Sequence, residues 1–422
     1  MDYKEALEYI ESIGHFGSKP GLERVTELLK KLGNPQEGLK YIHVAGTNGK
    51  GSCASMTASV LKAAGYKTGL FTSPYLYRFN ERMQINGKDI GDEALAQLVE
   101  RVKPLAEAMD DHPTEFEIIT AAAFLWYKEE NCDVVVLEVG LGGRFDATNI
   151  IGAPEVAVIM NIGLDHTEIL GDTLEKIAFE KAGIIKPGCD VVMYQQQESV
   201  MDVVRARCDE VGAALHVADF SAVKGEFDSV FGQTFSYKGE PYALPLLGAH
   251  QLRNAAVVLE VVNALRARGW KLEQTDVEHG VYSVNWPGRF ELINEEPMFI
   301  VDGGHNPQCA ASVAENLAHY FPDYRRVILL GILRDKDYAE LTDILDPLAD
   351  EYVCITPDSP RALKAAELAD HLAKYGKPVT VCDGIRDGVE AAVKAASGET
   401  DMVCAVGSLY SVGEIRACFE KY

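Results

Sequence analysis

The sequence predicts an α/β protein with two domains. Short apolar runs alternate with stretches of helical periodicity, a pattern typical of parallel strands joined by helices. The alternation occurs in two series, and the segment 285–289, which contains Pro and Gly, separates them. We therefore expect an N-terminal domain over residues 1–287 and a C-terminal domain over residues 288–422, a division compatible with the length of the chain.

The apolar runs that we expect to form strands are short and lie between helical patterns. Candidate strands of the first series are Tyr41–Ala45, Lys67–Phe71, Asp133–Leu137, Val156–Met160 and Asp190–Tyr194. Those of the second series are Met298–Val301, Arg326–Leu330, Glu351–Ile355, Pro378–Val381 and Met402–Val406. Candidate helices include Cys53–Ala64, Glu117–Tyr127, Asn254–Arg268 and Ala310–Tyr320. Residues 216–247, where aromatic and Val residues sit among Gly and polar residues, predict a small β excursion within the first domain.

Composition excludes several classes of protein. The sequence has no apolar run of the ~18–20 residues that a membrane span needs, and its N-terminus lacks the apolar segment of a signal peptide. The nine Cys residues are scattered without a CxxC pair, which indicates reduced core residues. A net charge of −24 argues against nucleic acid as a partner. We expect a cytoplasmic monomer that acts on small molecules, with neither a membrane nor a nucleic-acid partner.

Polar groups follow four strands of the first series at the point where each predicted strand ends. The first strand is followed by the Gly-rich segment Gly46–Ser52, the second by Ser73, the third by Glu138, and the fourth by a segment that includes His166. Ligands of open α/β sheets bind outside the carboxyl ends of the strands. We therefore expect these groups to share one edge of the sheet and to form a ligand site.

The segment Gly46–Ser52 predicts a phosphate loop. It follows an apolar strand and opens a helix, so that backbone N–H groups and the helix N-terminus face phosphate oxygens. Lys50 is then placed to reach the β- and γ-phosphates of ATP. The fit to the general pattern GxxxxGK[ST] is incomplete, because Val44 stands at the first Gly position and Gly51 follows the Lys. The alternative is a plain Gly-rich turn between a strand and a helix.

Three residues of the first series are weighed for metal chemistry. Glu138 ends a buried strand beside the phosphate loop, which is the usual place of a Mg²⁺ ligand; the alternative is a helix-capping or ion-paired Glu. His166 is either a ligand or a structural residue. Lys181 lies in a helical pattern and by pattern alone is a solvated helix residue.

The second series contains one candidate nucleotide contact. Asp302 follows a predicted strand and is placed to accept hydrogen bonds from a ribose. Asn306 is a helix cap before Pro307, which suits a first helical turn. The alternative for the segment is a turn with an ordinary cap. Asn254 and Arg289 carry no signal of their own.

These segments together resemble the folylpolyglutamate synthase and dihydrofolate synthase family, within the Mur ligase superfamily. The resemblance extends from about residue 9 to about residue 410, in the order of the family. Its most specific motif is Thr-Asn-Gly-Lys-Gly-Ser, because other Mur ligases place Thr or Ser directly after the Lys. The segments that carry it are Gly21–Val25, His43–Ser52, Glu138–Asn149, Leu164–Thr167, Glu180–Gly183, Pro287–Phe290, Asp302–Pro307 and Asp335–Asp337.

The resemblance implies an N-terminal ATPase domain of the P-loop type and a C-terminal Rossmann-like glutamate-ligase domain. It implies that Mg²⁺ is held by Ser73, Glu138, His166 and Lys181, the last as a carbamate, and that the catalytic residues are Lys50, Lys181 and His166. The implied ATP contacts are Gly46, Thr47, Asn48, Gly49, Lys50, Gly51, Ser52, Asn254, Arg289 and Asp302. The implied substrate contacts are His15, Phe16, Phe116, Glu117, Arg144, Phe145, Asp146, Ala147 and His305. One departure is Tyr410, which stands where some members of the family carry His.

The implied reaction follows from carboxylates being poor electrophiles. Transfer of the γ-phosphoryl group of ATP to the acceptor carboxylate makes an acyl phosphate, which the amine of L-glutamate attacks. The expected acceptors are a folate and dihydropteroate, and Mg²⁺ is the expected cofactor. We expect Arg78, Arg82 and Arg144 to offset the anionic charge of the substrates. Two alternative hypotheses are another Mur-type ligase, such as one acting on a muramoyl peptide, and a nucleotide-dependent switch module without catalytic activity.

Overall fold

The chain forms two compact units. The computed structural model describes residues 1–14 and 21–419. The first unit contains Met1–Lys224, Tyr237–Tyr242 and Arg253–Val284. The second contains Gly225–Ser236, Ala243–Leu252 and the chain from Asn285 onward. The predicted division into residues 1–287 and 288–422 stays a prediction, and the structure adds that two short earlier ranges group with the later residues.

The chain is rich in both helices and strands. In chain order, the strands are β1 (Tyr41–Ala45), β2 (Thr68–Phe71), β3 (Met83–Ile85), β4 (Lys88–Asp89), β5 (Val134–Glu138), β6 (Val156–Ile159), β7 (Asp190–Met193), β8 (Ala214–Val217), β9 (Val223–Ser229), β10 (Gly232–Tyr237), β11 (Glu240–Leu244), β12 (Glu291–Glu295), β13 (Met298–Val301), β14 (Arg325–Leu330), β15 (Glu351–Cys354), β16 (Val379–Val381) and β17 (Asp401–Val406). The α-helices are α1 (Tyr3–Ile13), α2 (Glu23–Lys31), α3 (Lys50–Ala63), α4 (Asp92–Glu107), α5 (Glu115–Glu129), α6 (Thr167–Leu170), α7 (Leu174–Ala182), α8 (Glu198–Val211), α9 (Ala249–Ala267), α10 (Gln274–Tyr282), α11 (Pro307–Tyr320), α12 (Tyr338–Leu345), α13 (Ala365–Leu372), α14 (Ile385–Ala395) and α15 (Leu409–Ala417).

The first unit contains an eight-stranded sheet in the order β4-β3-β2-β5-β1-β6-β7-β8. The strands from β2 to β8 in this order are parallel. Strands β1, β5 and β6 are buried at every position, as expected for parallel strands covered on both faces. In register, Val44 of β1 lies opposite Glu138 of β5 and Val158 of β6. The carboxyl ends of β2, β5, β1 and β6 therefore lie side by side at one edge of the sheet.

The second unit contains a six-stranded sheet in the order β12-β13-β17-β14-β15-β16. Strand β12 is antiparallel to β13, and the other neighbours are parallel. The core of this unit includes the side chains of Phe290, Phe321 and Tyr352, each at most 1% exposed. Strands β11, β10 and β9 form a separate three-stranded sheet.

The structure confirms the predicted fold class. Each predicted strand is present with bounds that differ by a residue at most, and the β excursion expected at 216–247 contains the three-stranded sheet. Strands β3, β4, β8 and β12 are not among the predicted strands, because none of them is a continuous apolar run. Long-range pairing to a neighbouring strand, rather than their own pattern, makes them strands.

The state of the cysteines agrees with the expectation from the sequence. All nine are free, and six of them are buried. Within the described ranges, none of the helices has the length and apolar composition that crossing a membrane requires.

Helix α3, which begins at Lys50, packs closely on α10. A Cβ added to Gly280 of α10 would lie 2.4 Å from the Cα of Val60 on α3. Beside this contact, the Ser59 hydroxyl donates a hydrogen bond to the carbonyl of Gly280 at 2.7 Å. The close approach of the two backbones therefore requires a residue without a side chain at position 280.

We expect Gly280→Ala to lower the melting temperature. The added methyl group forces the helices apart at a cost of about 1–3 kcal/mol, which exceeds the gain of up to about 1 kcal/mol in helix propensity. Gly152→Ala is the matched control, because a Cβ there meets nothing within 4 Å. Thermal denaturation of both variants measures the difference, and equal melting temperatures would contradict the packing argument.

Candidate active site

The loop that follows β1 is held against the chain that follows β6. Gly46 comes directly after β1, and a Cβ built on it would lie 2.6 Å from the Cβ of Met160. The backbone N–H groups of Thr47 and Asn48 donate to the carbonyl oxygen of Asn161 at 2.7 and 3.3 Å. Both contacts depend on the adjacent places of β1 and β6 in the sheet, and they fix the path of the loop.

Gly49 turns the loop into helix α3. It has a φ of +83°, a conformation that favours glycine, and it caps the helix that begins at Lys50. A Cβ on Gly49 would lie 2.8 Å from Oδ1 of Asn254 on α9, so these two predicted ATP contacts are neighbours. The Nζ of Lys50 donates to the carbonyl of Thr47 at 3.2 Å. The N–H groups of the first turn of a helix carry a partial positive charge, and together with the adjacent Lys50 cation those of α3 make a site for an anion.

Glu138 and Ser73 meet at the ends of the adjacent strands β5 and β2. The Ser73 N–H donates to Oε2 of Glu138 at 3.1 Å, and the Glu138 side chain is buried. A buried carboxylate held in place next to a hydroxyl suits Mg²⁺, which prefers oxygen ligands and binds through one or two carboxylates together with substrate phosphates. Ser73 and Glu138 therefore fit the metal that the sequence predicts.

His166 lies after β6 and precedes α6. Its φ is +49°, an uncommon conformation for a residue other than Gly, and its imidazole lies 3.9 Å from the carboxylate of Asp165. Among residues 1–14 and 21–419, no three His, Cys, Asp or Glu side chains form a group that could hold a metal ion. The structure thus brings Ser73 and Glu138 together, and His166 as a metal ligand stays a prediction.

Lys181 on α7 is buried, so the interpretation from its pattern, a solvated helix residue, is wrong. Its side chain is 4% exposed, and Nζ donates to the carbonyl of Gly46 at 2.8 Å. Burial, assisted by the positive charge of Lys50, lowers the pKa of Lys181 to about 7, against the opposing effect of Asp165 and Asp146. The amine is therefore neutral in a large fraction of molecules near neutral pH.

The loop after β5 is organised around the carboxylate of Asp146. Its Oδ1 accepts hydrogen bonds from the Thr148 N–H at 3.0 Å and from the Thr148 hydroxyl at 2.5 Å. Its Oδ2 accepts from the Leu141 N–H at 2.8 Å. Burial raises the pKa of Asp146, and these hydrogen bonds counteract the rise. Ala147 begins a buried 3-10 turn directly after this residue.

Arg144 lies between two exposed aromatic rings. Its guanidinium is 4.4 Å from the ring centre of Phe145 and 5.0 Å from that of Phe179. It also pairs with the carboxylate of Glu180 at 2.7 Å. The ring of Phe145 is partly exposed, its role in binding a substrate ring stays a prediction, and Arg144 lies beside it.

Phe116 and Glu117 pack inside the first unit. A Cβ on Gly140 would lie 2.6 Å from the ring of Phe116, so this ring lies against the backbone just beyond β5. Glu117 is buried, caps the start of α5, and pairs with Arg24 at 3.0 Å. Its carboxylate is therefore held by groups of the first unit, and its role as a substrate contact stays a prediction. His15 and Phe16 lie outside the described residues.

Arg78 and Arg82 are each paired with a carboxylate. Arg78 lies 2.6 Å from Asp92, and Arg82 lies 3.6 Å from Glu115. Part of the charge that these residues were expected to offer to anionic substrates is therefore already offset within the protein.

In the second unit, Asp302 is buried at the end of β13. Its oxygens accept from the N–H of Phe290 at 2.7 Å and of Gly304 at 2.6 Å. Burial raises the pKa of Asp302, and the charge of Arg289 opposes the rise. The ring nitrogen Nδ1 of His305 lies 3.2 Å from the carbonyl of Gly303. Arg289, Asp302 and His305 therefore belong to one small region of this unit.

The N-terminal cap predicted for the helix after β13 is confirmed. The side chain of Asn306 accepts from the N–H of Cys309 at 2.9 Å, and Pro307 is the first residue of α11.

Two sequence profiles of known families match the chain. The Mur ligase middle domain matches residues 44–262, and the glutamate ligase domain of Mur ligases matches residues 288–409. A Bacillus subtilis protein named dihydrofolate synthase/folylpolyglutamate synthase is 38% identical over 98% of this chain and 98% of its own length.

The chain belongs to the folylpolyglutamate synthase and dihydrofolate synthase family of Mur ligases.

Two further relatives agree with this assignment. The folylpolyglutamate synthase of Lacticaseibacillus casei is 38% identical over 87% of this chain and 88% of its own length. A crystal structure of the Mycobacterium tuberculosis folylpolyglutamate synthase, complexed with ADP and AMPPCP, is 33% identical and matches with a TM-score of 0.90 over 100% of both chains. As a member of this family, the chain is an ATP-dependent ligase that joins glutamate to a folate-type acceptor. This confirms the ligase hypothesis over the switch module and the muramoyl-peptide ligase.

Sequence reasoning on this ligase missed several residues that organise the site. Asn161 and Met160 hold the phosphate loop, and Thr148 binds the Asp146 carboxylate. His43 is buried and lies 2.8 Å from the Thr148 hydroxyl. The physical signal for His43 was a His in the middle of an otherwise apolar strand, because a polar side chain is costly there without a partner.

We expect Glu138→Gln to lower the activity of this ligase by on the order of 100-fold, because the amide keeps the shape but removes a charge that Mg²⁺ needs. Excess Mg²⁺ should restore activity only in part. Glu129→Gln is the control, since Glu129 pairs with Arg101 on the surface. Steady-state rates across a Mg²⁺ titration measure the effect. A Mg²⁺ dependence equal to that of the wild type would show that Glu138 is structural.

Proposed function

We propose that this ligase joins L-glutamate both to a folate and to dihydropteroate, through an acyl phosphate formed with ATP. The observation that carries the proposal is the arrangement at the carboxyl edge of the first sheet. There the loop with Lys50 and the Glu138–Ser73 pair lie at neighbouring strand ends. The buried Lys181 contacts that loop. These groups suit phosphoryl transfer, in which positioning and charge neutralisation do most of the work.

The residues of this edge would divide the work of phosphoryl transfer. The N–H groups at the start of α3 and the Lys50 ammonium hold phosphate oxygens and stabilise the charge that develops on them. Glu138 and Ser73, with His166, would hold Mg²⁺, which would supply charge neutralisation on the phosphates. Lys50, Lys181 and His166 are therefore the residues that we assign to catalysis.

We also propose that Lys181 is carbamylated in the active enzyme. Carbamylation requires a neutral amine, and burial that lowers the pKa of Lys181 to about 7 supplies one. The carbamate would place a negative charge beside the Lys50 cation. In the unmodified protein, that cation disfavours the charged form of Lys181. The carbamate would thus convert a costly buried cation into an anion that suits a metal site.

The nucleotide contacts are proposed from two regions of the chain. In the first unit, the loop Gly46–Ser52 and Asn254 are neighbours. In the second unit, Arg289 and the buried carboxylate of Asp302 offer a cation and an acceptor for hydroxyl groups of a ribose. His305, close to both in sequence, is proposed as a substrate contact.

The acceptor contacts are proposed from the loop after β5. Phe145 is 48% exposed, so its ring is available to stack on a flat heterocycle. Oδ2 of Asp146 accepts a hydrogen bond from the Leu141 N–H, and the carboxylate, with about four lone-pair sites, is proposed to accept a further one from a pterin amino group or ring N–H. Arg144, Ala147, Phe116 and Glu117, with His15 and Phe16, complete the proposed set.

Relatives of equal similarity do not decide whether one or two acceptors are used. The Bacillus subtilis relative bears both names and the Lacticaseibacillus casei relative bears one, yet both are 38% identical to this chain. The proposal of two acceptors therefore needs a direct assay. A cytoplasmic location and a monomeric state also stay predictions.

The assay supplies ATP, Mg²⁺ and glutamate with either dihydropteroate or a reduced folate, and detects the product by mass. We expect each acceptor to gain one glutamyl residue and continued ADP turnover to require glutamate, because without it only one acyl phosphate can form per active site. Reaction of the folate alone would contradict the proposal of two activities. Reaction of neither, with glutamylation of a muramoyl peptide, would contradict the proposed substrate class.

Carbamylation is tested by ¹³C NMR in ¹³C-labelled bicarbonate. We expect a carbamate resonance that strengthens as pH rises from about 6 to about 8, because the neutral fraction of an amine with a pKa of about 7 increases over that range. Lys181→Met should remove the resonance, and Lys176→Met, which changes an exposed residue on the same helix, should keep it. An enzyme loaded with Mg²⁺ and nucleotide that shows no resonance would contradict the carbamate.

A further inference from the structure

His43 is a polar residue at the centre of a buried parallel strand. It lies in the middle of β1, opposite Leu137 of β5 and Ala157 of β6, and its side chain is fully buried. Such a position is normally apolar, because a buried polar group costs free energy unless it is hydrogen-bonded. Phosphoryl transfer as described above makes no use of this imidazole, so its presence calls for another role.

The imidazole is the first member of a chain of three buried side chains. Its Nε2 lies 2.8 Å from the Thr148 hydroxyl, and that hydroxyl lies 2.5 Å from Oδ1 of Asp146. All three side chains are buried. The chain therefore links β1, three residues before the phosphate loop, to the carboxylate that organises the loop after β5.

The direction of the hydrogen bonds follows from the number of protons. Burial lowers the pKa of His43 to about 3, so the ring is neutral and carries a single N–H. The Thr148 hydroxyl has one proton, which it donates to Asp146, and it must then accept from Nε2–H of His43. Nδ1 of His43 has no hydrogen-bond partner among the described residues. If the Thr148 hydroxyl instead donated to Nε2, the single N–H of the ring would be at Nδ1. Buried donors without a partner are rarer than buried acceptors without one, which favours the first direction.

We propose that His43 is a positioning residue for the acceptor, which acts through Thr148 to fix the carboxylate of Asp146. This inference rests on the proposed function, in which Asp146 binds the acceptor. The His43 N–H fixes the rotation of the Thr148 hydroxyl, and the hydroxyl then holds Oδ1 so that Oδ2 stays oriented for the substrate. The strand that leads into the ATP loop thereby also sets the geometry of the acceptor loop.

The hydrogen bonds from His43 through Thr148 to Asp146 form a relay, and the test compares variants that remove this relay with variants that keep it. Thr148→Val and His43→Met remove the hydroxyl and the N–H donor. Thr148→Ser keeps a hydroxyl, and His43→Gln keeps an N–H near the place of Nε2. KM is measured separately for the pterin acceptor and for ATP, together with the melting temperature of each variant. Asp146→Ala serves as the reference for complete loss of the carboxylate.

We expect the removing variants to raise the acceptor KM about 10-fold, with the ATP KM changed less than about twofold, and the conservative variants to stay near the wild type. Thr148→Val also leaves the His43 N–H unpaired, which should lower the melting temperature by about 2–6 °C. The double variant His43→Met/Thr148→Val should recover much of that melting temperature. Its acceptor KM should stay high, because Oδ1 of Asp146 still lacks the hydrogen bond from the Thr148 hydroxyl.

Three results would overturn the relay. They are an acceptor KM that recovers together with the melting temperature in the double variant, an equal rise of both KM values, and equal losses in the removing and conservative variants. Failure of the proposed function is recognised separately, since the wild type would then glutamylate no pterin acceptor. A wild type that uses the acceptor, with an unchanged Thr148→Val variant, contradicts the relay alone.

Discussion

The site depends on the close contact between the chain after β1 and the chain after β6. Gly46 lies against Met160 with no space for a side chain, and the Asn161 carbonyl accepts the N–H groups of Thr47 and Asn48. Neither interaction uses the side chain of Lys50. The start of α3, with its partial positive charge, is thereby placed directly after this contact, where it suits an anion.

Helix α7 contacts both the loop after β5 and the loop after β1. A Cβ on Gly143 would lie 2.9 Å from the carbonyl oxygens of Glu180 and Lys181, so the loop runs directly against the helix. Lys181 reaches from that helix to the carbonyl of Gly46. Ion pairs such as that of Arg144 with Glu180 neutralise charge only between the two partners. The repulsion of anionic substrates by the net charge of −24 must therefore be overcome by groups at the phosphate loop.

The fold was largely predictable because buried parallel strands have continuous apolar sequences. The residues that follow these strands were expected to share one edge, because parallel strands end at the same edge of a sheet. Lys181 was misjudged by pattern, since a single Lys in a helix gives no sign of the neighbouring loop that buries it. The resemblance to the family, rather than periodicity, identified that residue. The contacts of His43 with Thr148 and of Glu117 with Arg24 join residues about a hundred positions apart in the sequence, and spacing along the sequence does not give them.

The central claim is that this edge of the sheet transfers phosphate to a carboxylate before the amide forms. An acceptor labelled with ¹⁸O in the reacting carboxylate tests it most directly. Attack by glutamate on an acyl phosphate breaks the bond between carbon and the bridging oxygen, so one labelled oxygen leaves with each phosphate. We predict ¹⁸O in the released phosphate, detected by mass spectrometry, in equal amount to the amide product. Unlabelled phosphate formed together with the glutamylated product would contradict the mechanism.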